Sequence, residues 1–490
     1  MSDTSRAPRV LVELRPCFQG HAGIPQETRL IFAMLAAQGD IRPCGLVNTL
    51  AGFAVPSAGK TLSIEANSRL LIAIDRASQG IRARNITAKL RRRMIKSNSA
   101  LLRRLAGHHR EPAALVDLDP AFFGDFIWTR LFAMTLAPER RAQVMASDFS
   151  ALGTSWNEAD RFCGRPQETQ AIVSEDFDFF LAQTPSPFRM SARTQTIVRY
   201  HDAIPIFWPH TISDTTAHNR THDRGLKASL REKAVFVCTS EPVARDLLVL
   251  APEAEASIEV IPDLVSPAFR PDPQPLQTVA EIMVARRHGV DEPTPSAVRQ
   301  EIEQLLASGG AGNFVMAVST IEPRKNFDLL LRAWQLAAGG PGSRLVIVGR
   351  PGWRCDDDLR QIRTQVSLGR VVHLAGVPLE ELRILYTAAK AVVCPSRAEG
   401  FDLSGIEAMA CGSAVLASDI PVHRWVYGEA AGYFDAYDPN ALSLLLKAAL
   451  AGENVIQCLR ARGPAQAGLY GEAALAPRWQ SLFERRRRQR

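Results

Sequence analysis

The chain has 490 residues, 46% of them hydrophobic and 22% charged, with 58 Lys and Arg against 51 Asp and Glu for a net charge of +7. That length predicts two domains with ample cores, and the composition is that of a globular protein rather than a disordered or fibrous one. No apolar run reaches the length of a membrane span and the start MSDTSRAPRV lacks a signal-peptide core, so a cytoplasmic location is expected. The eight cysteines are scattered without a C-x-x-C pair, which predicts neither disulfides nor structural zinc.

Arg9 to Leu14 (RVLVEL) reads as a first strand. It is followed by a loop with Gly20 and Gly23, and then by an apolar-periodic helix through Ile31 and Leu35 that stops at Gly39. Strand, glycine loop and helix allow the backbone to approach a ligand closely. Between Arg69 and Arg110 twelve Lys and Arg stand against the single acid Asp75, and apolar residues from Ile81 to Leu105 recur at helical spacing. Two readings are open for this segment: a basic amphipathic helix suited to an anionic membrane surface, or a solvated helix whose arginine stems cover the core. Nucleic acid is not expected as a partner, since no aromatic residues interleave the charges. The run Arg485 to Arg488 either extends this basic face or frays.

Ala114 to Asp119 and Met145 to Leu152 carry short strand-like runs, while Asp148 to Pro187 shows no chemistry. Thr196 to Pro205 (TIVRYHDAIP) predicts a strand that presents His201 and Asp202 at its end. His218 and His222 have i, i+4 spacing but no third ligand, so a solvent-facing helix is the expectation. Ala234 to Ser240 and the following EPVARDLL predict a strand and a helix capped by Ser240. From Pro271 to about Gly312 the chain is Pro-rich and then charged, and a linker is placed there.

Phe314 to Ser319 opens a second unit, with Arg324 and Lys325 where the strand hands over to a helix, a place for an anion. Strands are predicted at Arg344 to Val348, Val371 to Ala375, Ala391 to Cys394 and Ala414 to Ala417, separated by helical segments, which is the pattern of a doubly wound parallel sheet. Gly349 and Gly376-Val377-Pro378 end two of them. In VCPSRAEGFDLSGIEAMACGSAVLA the strand is followed by a loop with Glu399, Gly400, Phe401, Asp402 and Leu403. A helix then opens near Ser404 and closes at Cys411-Gly412. Its first amides are unpaired donors suited to a phosphate, and Glu407 could accept two hydrogen bonds from a ribose diol.

The string EGFDLSGIEAMACG resembles the E-x7-E signature of the retaining GT-B glycosyltransferases of family 4, with Glu399 and Glu407 on the two motif glutamates. GHAGIP at Gly20 to Pro25 and HDAIP at His201 to Pro205 resemble strings of the same group, and the bacterial mannosyltransferases most closely. Asp402 departs from a common Gly and Ser404-Gly405 from a frequent Pro.

The resemblance implies an α/β fold of GT-B type, two Rossmann-like domains facing across a cleft. The expected division is 1–265 with a basic insertion at about 66–110, a linker or insertion at 266–312, a nucleotide-sugar domain at 313–465, and a C-terminal helix and tail at 466–490. It further implies transfer of a sugar, mannose from GDP-mannose first, from a nucleotide diphospho-sugar to a glycan or lipid-linked glycan, with retention and without metal or cofactor. Arg324 and Lys325 would hold the diphosphate, Glu399 the donor sugar and Glu407 the ribose. His201 would lie near donor and acceptor, with Asp202 orienting it or facing the acceptor. Gly20, Gly23, Gly349, Val377, Gly400, Phe401, Asp402, Leu403 and Ser404 would complete the donor site. A peripheral place on the inner face of the membrane, through 81–105, is compatible. Two rivals are a GT-B nucleotide-sugar epimerase, which needs no acceptor, and a non-catalytic scaffold.

Overall fold

The computed structural model describes residues 6–18, 20, 23–49, 62–79, 112–154, 156, 159–160, 163, 169–289, 294–337 and 342–489. The basic segment 81–105 lies outside them.

Two sheets organise the chain. The first contains β1 (Arg9–Glu13), β2 (Arg42–Asn48), β3 (Leu115–Asp117), β4 (Asp148–Leu152), β5 (Phe179–Ala182), β6 (Gln195–Tyr200), β7 (Val235–Cys238) and β8 (Ile258–Val260). Its order is β8-β7-β6-β5-β1-β2-β4-β3, parallel throughout except where β3 meets β4. The second contains β9 (Phe314–Val318), β10 (Arg344–Val348), β11 (Val371–Leu374), β12 (Ala391–Cys394), β13 (Val415–Ser418) and β14 (Ala431–Phe434), in the order β11-β10-β9-β12-β13-β14, all parallel. Parallel strands joined through helices are covered on both faces, which is why VLV, LVIV and AVVC are continuous apolar runs rather than alternating ones. In both sheets the strand order reverses beside the first strand of the unit, and loops leaving the carboxyl ends there make the natural ligand crevice.

The strand expected through Pro205 ends at Tyr200, because Ile204–Phe207 forms a helical turn with Pro205 near its start, where a missing amide does no harm. Residues 271–312, read from their prolines as a linker, carry two helices, Leu276–Ala285 and Pro295–Ala307. The first buries Val279 and Met283 in the core built on β9 and β12, so this segment packs with the second unit. The last helix, Glu472–Arg488, returns to the first unit and sinks Leu475, Trp479, Leu482 and Phe483 into its core. Its arginine run is tied down: Arg485 and Arg486 both pair with Glu259, at 3.0 and 3.2 Å. Among the described residues no single helix is long and apolar enough to cross a membrane.

Candidate functional site

The two units meet where the loop after β12 lies against the loop after β6. A Cβ at Gly400 would stand 2.0 Å from the His201 carbonyl oxygen, so only glycine lets the backbones come this close. The Gly400 carbonyl in turn accepts from the hydroxyls of Thr239 (3.2 Å) and Ser240 (2.9 Å), at the end of β7. The same Ser240 oxygen accepts from the Val243 amide and caps the helix Glu241–Leu250.

On the second unit's wall Glu399 is clamped between two cations. One carboxylate oxygen accepts from Arg324 Nη1 at 2.7 Å and the other from Lys325 Nζ at 2.5 Å. Arg324 also approaches Glu322 at 3.4 Å. Burial would raise the Glu399 carboxyl, but Arg324 and Lys325 outweigh it and hold the group below the ordinary carboxylate range. The cations expected to meet a diphosphate are thus already engaged, by the very carboxylate expected to meet the sugar.

Asp402 has φ 74°, in the left-handed region, and precedes the helix Leu403–Ala410 without capping it. Its carboxylate turns away to accept from Ser404 Oγ at 2.6 Å and to meet His423 Nε2 at 3.2 Å, while its carbonyl accepts from Tyr427. No side-chain cap therefore occupies the first amides of that helix. Glu407, one turn on, is buried and has no cation. It accepts from Gln26 of the first unit at 2.8 Å and from the Tyr386 hydroxyl at 3.3 Å. Desolvation pushes its carboxyl up to about 7.

On the first unit's wall His201 follows β6 with its side chain only 10% exposed. Asp202 accepts from the Ile204 amide at 2.9 Å, and its charge also reaches Arg324 across the cleft. Behind His201, Arg199 is fully buried between Glu27 (2.5 Å) and Asp263 (2.7 Å). Glu27, His201 and Asp263 form the one grouping of metal-ligating type among the described residues, and the Arg199 guanidinium already bridges its two carboxylates.

The remaining expected residues fall into two sets. Gly20 lies in the cleft, its carbonyl accepting from the buried Arg29 at 2.6 Å and its α-carbon facing Arg350 of the second unit. Gly23, with φ 65°, directly precedes the helix Ile24–Ala37. In the second set the Gly349 carbonyl meets His373 at 2.8 Å, the side chains of Val377 and Phe401 lie in the core, and Leu403 packs on that core. Sequence reading did not single out Gln26, Glu27, Arg199, Asp263, Tyr386 or His423. Gln26 and Glu27 directly follow the GHAGIP string and Arg199 stands two residues before His201, but none of the six falls on a matched motif position, and only apolar surroundings, which predict burial of an ionisable group, could have marked them.

Residues 298–464 match the model of the family described as Glycosyl transferases group 1. Over 156 residues the chain is 35% identical to O-antigen chain mannosyltransferase B of Escherichia coli, covering 31% of this chain and 41% of that protein. It is 28% identical over 167 residues to O-antigen chain mannosyltransferase RfbU of Salmonella typhimurium, covering 34% and 46%. The chain thus spans less than half the length of these curated relatives. Sucrose-phosphate synthase from Thermosynechococcus elongatus superposes with a TM-score of 0.56 at 15% identity over 99% of this chain and 100% of that one. Anabaena HepE in complex with UDP does so with 0.53 at 14% identity over 97% and 99%. These likenesses establish the fold as GT-B.

Proposed function

We propose that the protein, whose residues 298–464 match the glycosyl transferases group 1 model, is a glycosyltransferase of polysaccharide synthesis. It transfers a hexose from a nucleotide diphospho-sugar to a glycan hydroxyl. The observation that carries this reading is the Glu399 clamp: two cations and a carboxylate at the start of an uncapped helix, directly below the His201 loop. A donor diphosphate competes with Glu399 for Arg324 and Lys325. Once those cations stabilise the charge growing on the leaving group, the freed carboxylate is available to the sugar hydroxyls. Gln26 on Glu407 is the group that a ribose diol would replace.

The finer reading is mannose from GDP-mannose, with retention by same-face substitution in which the leaving phosphate takes the acceptor proton. The mannosyltransferase relatives support the choice of sugar. The acceptor is a lipid-linked or lipopolysaccharide glycan, and the charge pattern of 81–105 supports a peripheral place on an anionic membrane.

A thermal-shift panel of GDP-, UDP-, ADP- and dTDP-sugars tests the donor. GDP-mannose should raise the melting temperature of the native chain and leave Lys325→Ala unmoved. A response to another nucleotide would move the donor assignment, and a response to none would overturn the transferase reading. The anomeric configuration of the product, read by NMR, tests retention.

A further inference from the structure

The first turn of the helix Ile24–Ala37 places Glu27, fully buried, behind His201. One carboxylate oxygen is engaged by Arg199, through Nε at 2.8 Å and Nη2 at 2.5 Å. The other, Oε2, has no hydrogen-bond partner, and 3.5 Å away stands His201 Nε2, also buried and also without one. Two orphaned polar atoms facing each other inside a protein are costly. A structural ion pair would not need them, since Arg199 is already matched by Glu27 and Asp263.

The rest of the imidazole's surroundings leaves Glu27 a specific task. The His201 backbone is fixed at the domain junction by Thr239, whose hydroxyl donates to its carbonyl at 3.0 Å, and by the close approach of Gly400. The ring itself faces Glu27 on one side and the Gln183 backbone on another, with the charges of Arg199 and Asp202 nearby. A neutral imidazole can donate to only one of the two acceptors.

We propose that Glu27 is a positioning residue for His201, its free carboxylate oxygen holding the ring toward the cleft with the proton on Nε2. Burial favours the neutral ring, while Glu27 pulls toward the protonated side. Burial and Glu27 beside it push the Asp263 carboxyl up, while Arg199 and His201 outweigh burial at Glu27 and hold its carboxyl down. The kinetic consequence rests on the transferase reading given above; the spectroscopic one does not.

The test is histidine-selective 15N NMR of the full chain, with the His201 signal among the ten histidines assigned by its loss in His201→Gln. The native protein should show Nε2 protonated, and Glu27→Gln should lose that preference. Asp263→Asn, which keeps a side-chain oxygen for Arg199 and leaves the Glu27 carboxylate in place, should keep it. With a competent donor and acceptor, Glu27→Gln should lower kcat roughly 10- to 100-fold with little change in the donor KM. An unprotonated Nε2 in the native chain overturns the proposal, and that measurement needs no variant of Glu27 to fold. It also falls if Glu27→Gln keeps the proton on Nε2. If no sugar is transferred but the 15N pattern holds, the transferase reading fails and the Glu27 assignment stands.

Discussion

On the second unit's wall, Arg324 and Lys325 keep 19% and 12% of their side chains exposed and share Glu399, whereas on the first unit's wall Arg199 is wholly enclosed between Glu27 and Asp263. The first arrangement can open, because water or a ligand reaches the cations and can replace their carboxylate. The second cannot open without stranding a charge in the interior. One wall is built to exchange partners and the other to keep them. The proposed transfer needs both, a set of charges that responds to the donor and a rigid one that holds the groups beside it.

The largest test of this contrast removes one cation from each wall. Arg199→Met leaves Glu27 buried without its partner and should cost roughly 3–5 kcal/mol of stability. Lys325→Ala leaves Glu399 on Arg324 and should cost roughly 1–2 kcal/mol, while abolishing the donor's thermal shift. Urea unfolding of the two variants with and without GDP-mannose reads both numbers. Equal losses of stability would erase the distinction between the walls.

The two walls also differ in how far they could be read in advance. Glu399, Asp402 and Glu407 lie in nine consecutive residues on one loop and helix, so a local pattern carries them. Glu27, Arg199 and Asp263 come from the first helix, the end of β6 and the segment after β8, and nothing local links them. The strands were legible for the same reason: FVMAV, LVIV and AVVC are unbroken apolar runs bounded by polar or glycine residues. The helix Leu276–Ala285 was not, because the prolines from Pro271 to Pro275 dominate the local signal, and packing against β9 and β12 decides the outcome. The partners of a motif residue are equally hidden. Nothing in EGFDLSGIEAMACG shows that His423 holds Asp402, or that Gln26 from another domain holds Glu407.

Glu407 sharpens the comparison, as a carboxyl on the exchangeable wall without any cation. Its titration is raised from 4.5 to about 7 by burial. Between those values the folded chain binds more protons than the unfolded one, so stability should fall as pH rises through that window and level off above it. The change amounts to roughly 3 kcal/mol at most. Glu407→Gln should flatten this dependence in melting curves taken from pH 5 to pH 8. A slope that survives the substitution would assign it to another group.

The smallest effects fall at the junction between the walls, where the Ser240 hydroxyl donates to the Gly400 carbonyl and the Thr239 hydroxyl lies within reach of both that oxygen and the His201 carbonyl. The one Thr239 hydroxyl proton is shared between the His201 carbonyl at 3.0 Å and the Gly400 carbonyl at 3.2 Å, so Thr239→Val, which leaves the Ser240 hydroxyl on the latter at 2.9 Å, should cost about 1 kcal/mol. Ser240→Ala removes the other donor and also the cap on the helix Glu241–Leu250, and should cost about 1–2 kcal/mol. A double variant decides between independent and shared action. Without either hydroxyl the Gly400 carbonyl has no side-chain donor at a buried contact, so the combined loss should exceed the sum of the two. Simple additivity would mean that water reaches this carbonyl, and that the junction is as open to exchange as the cations of the second wall.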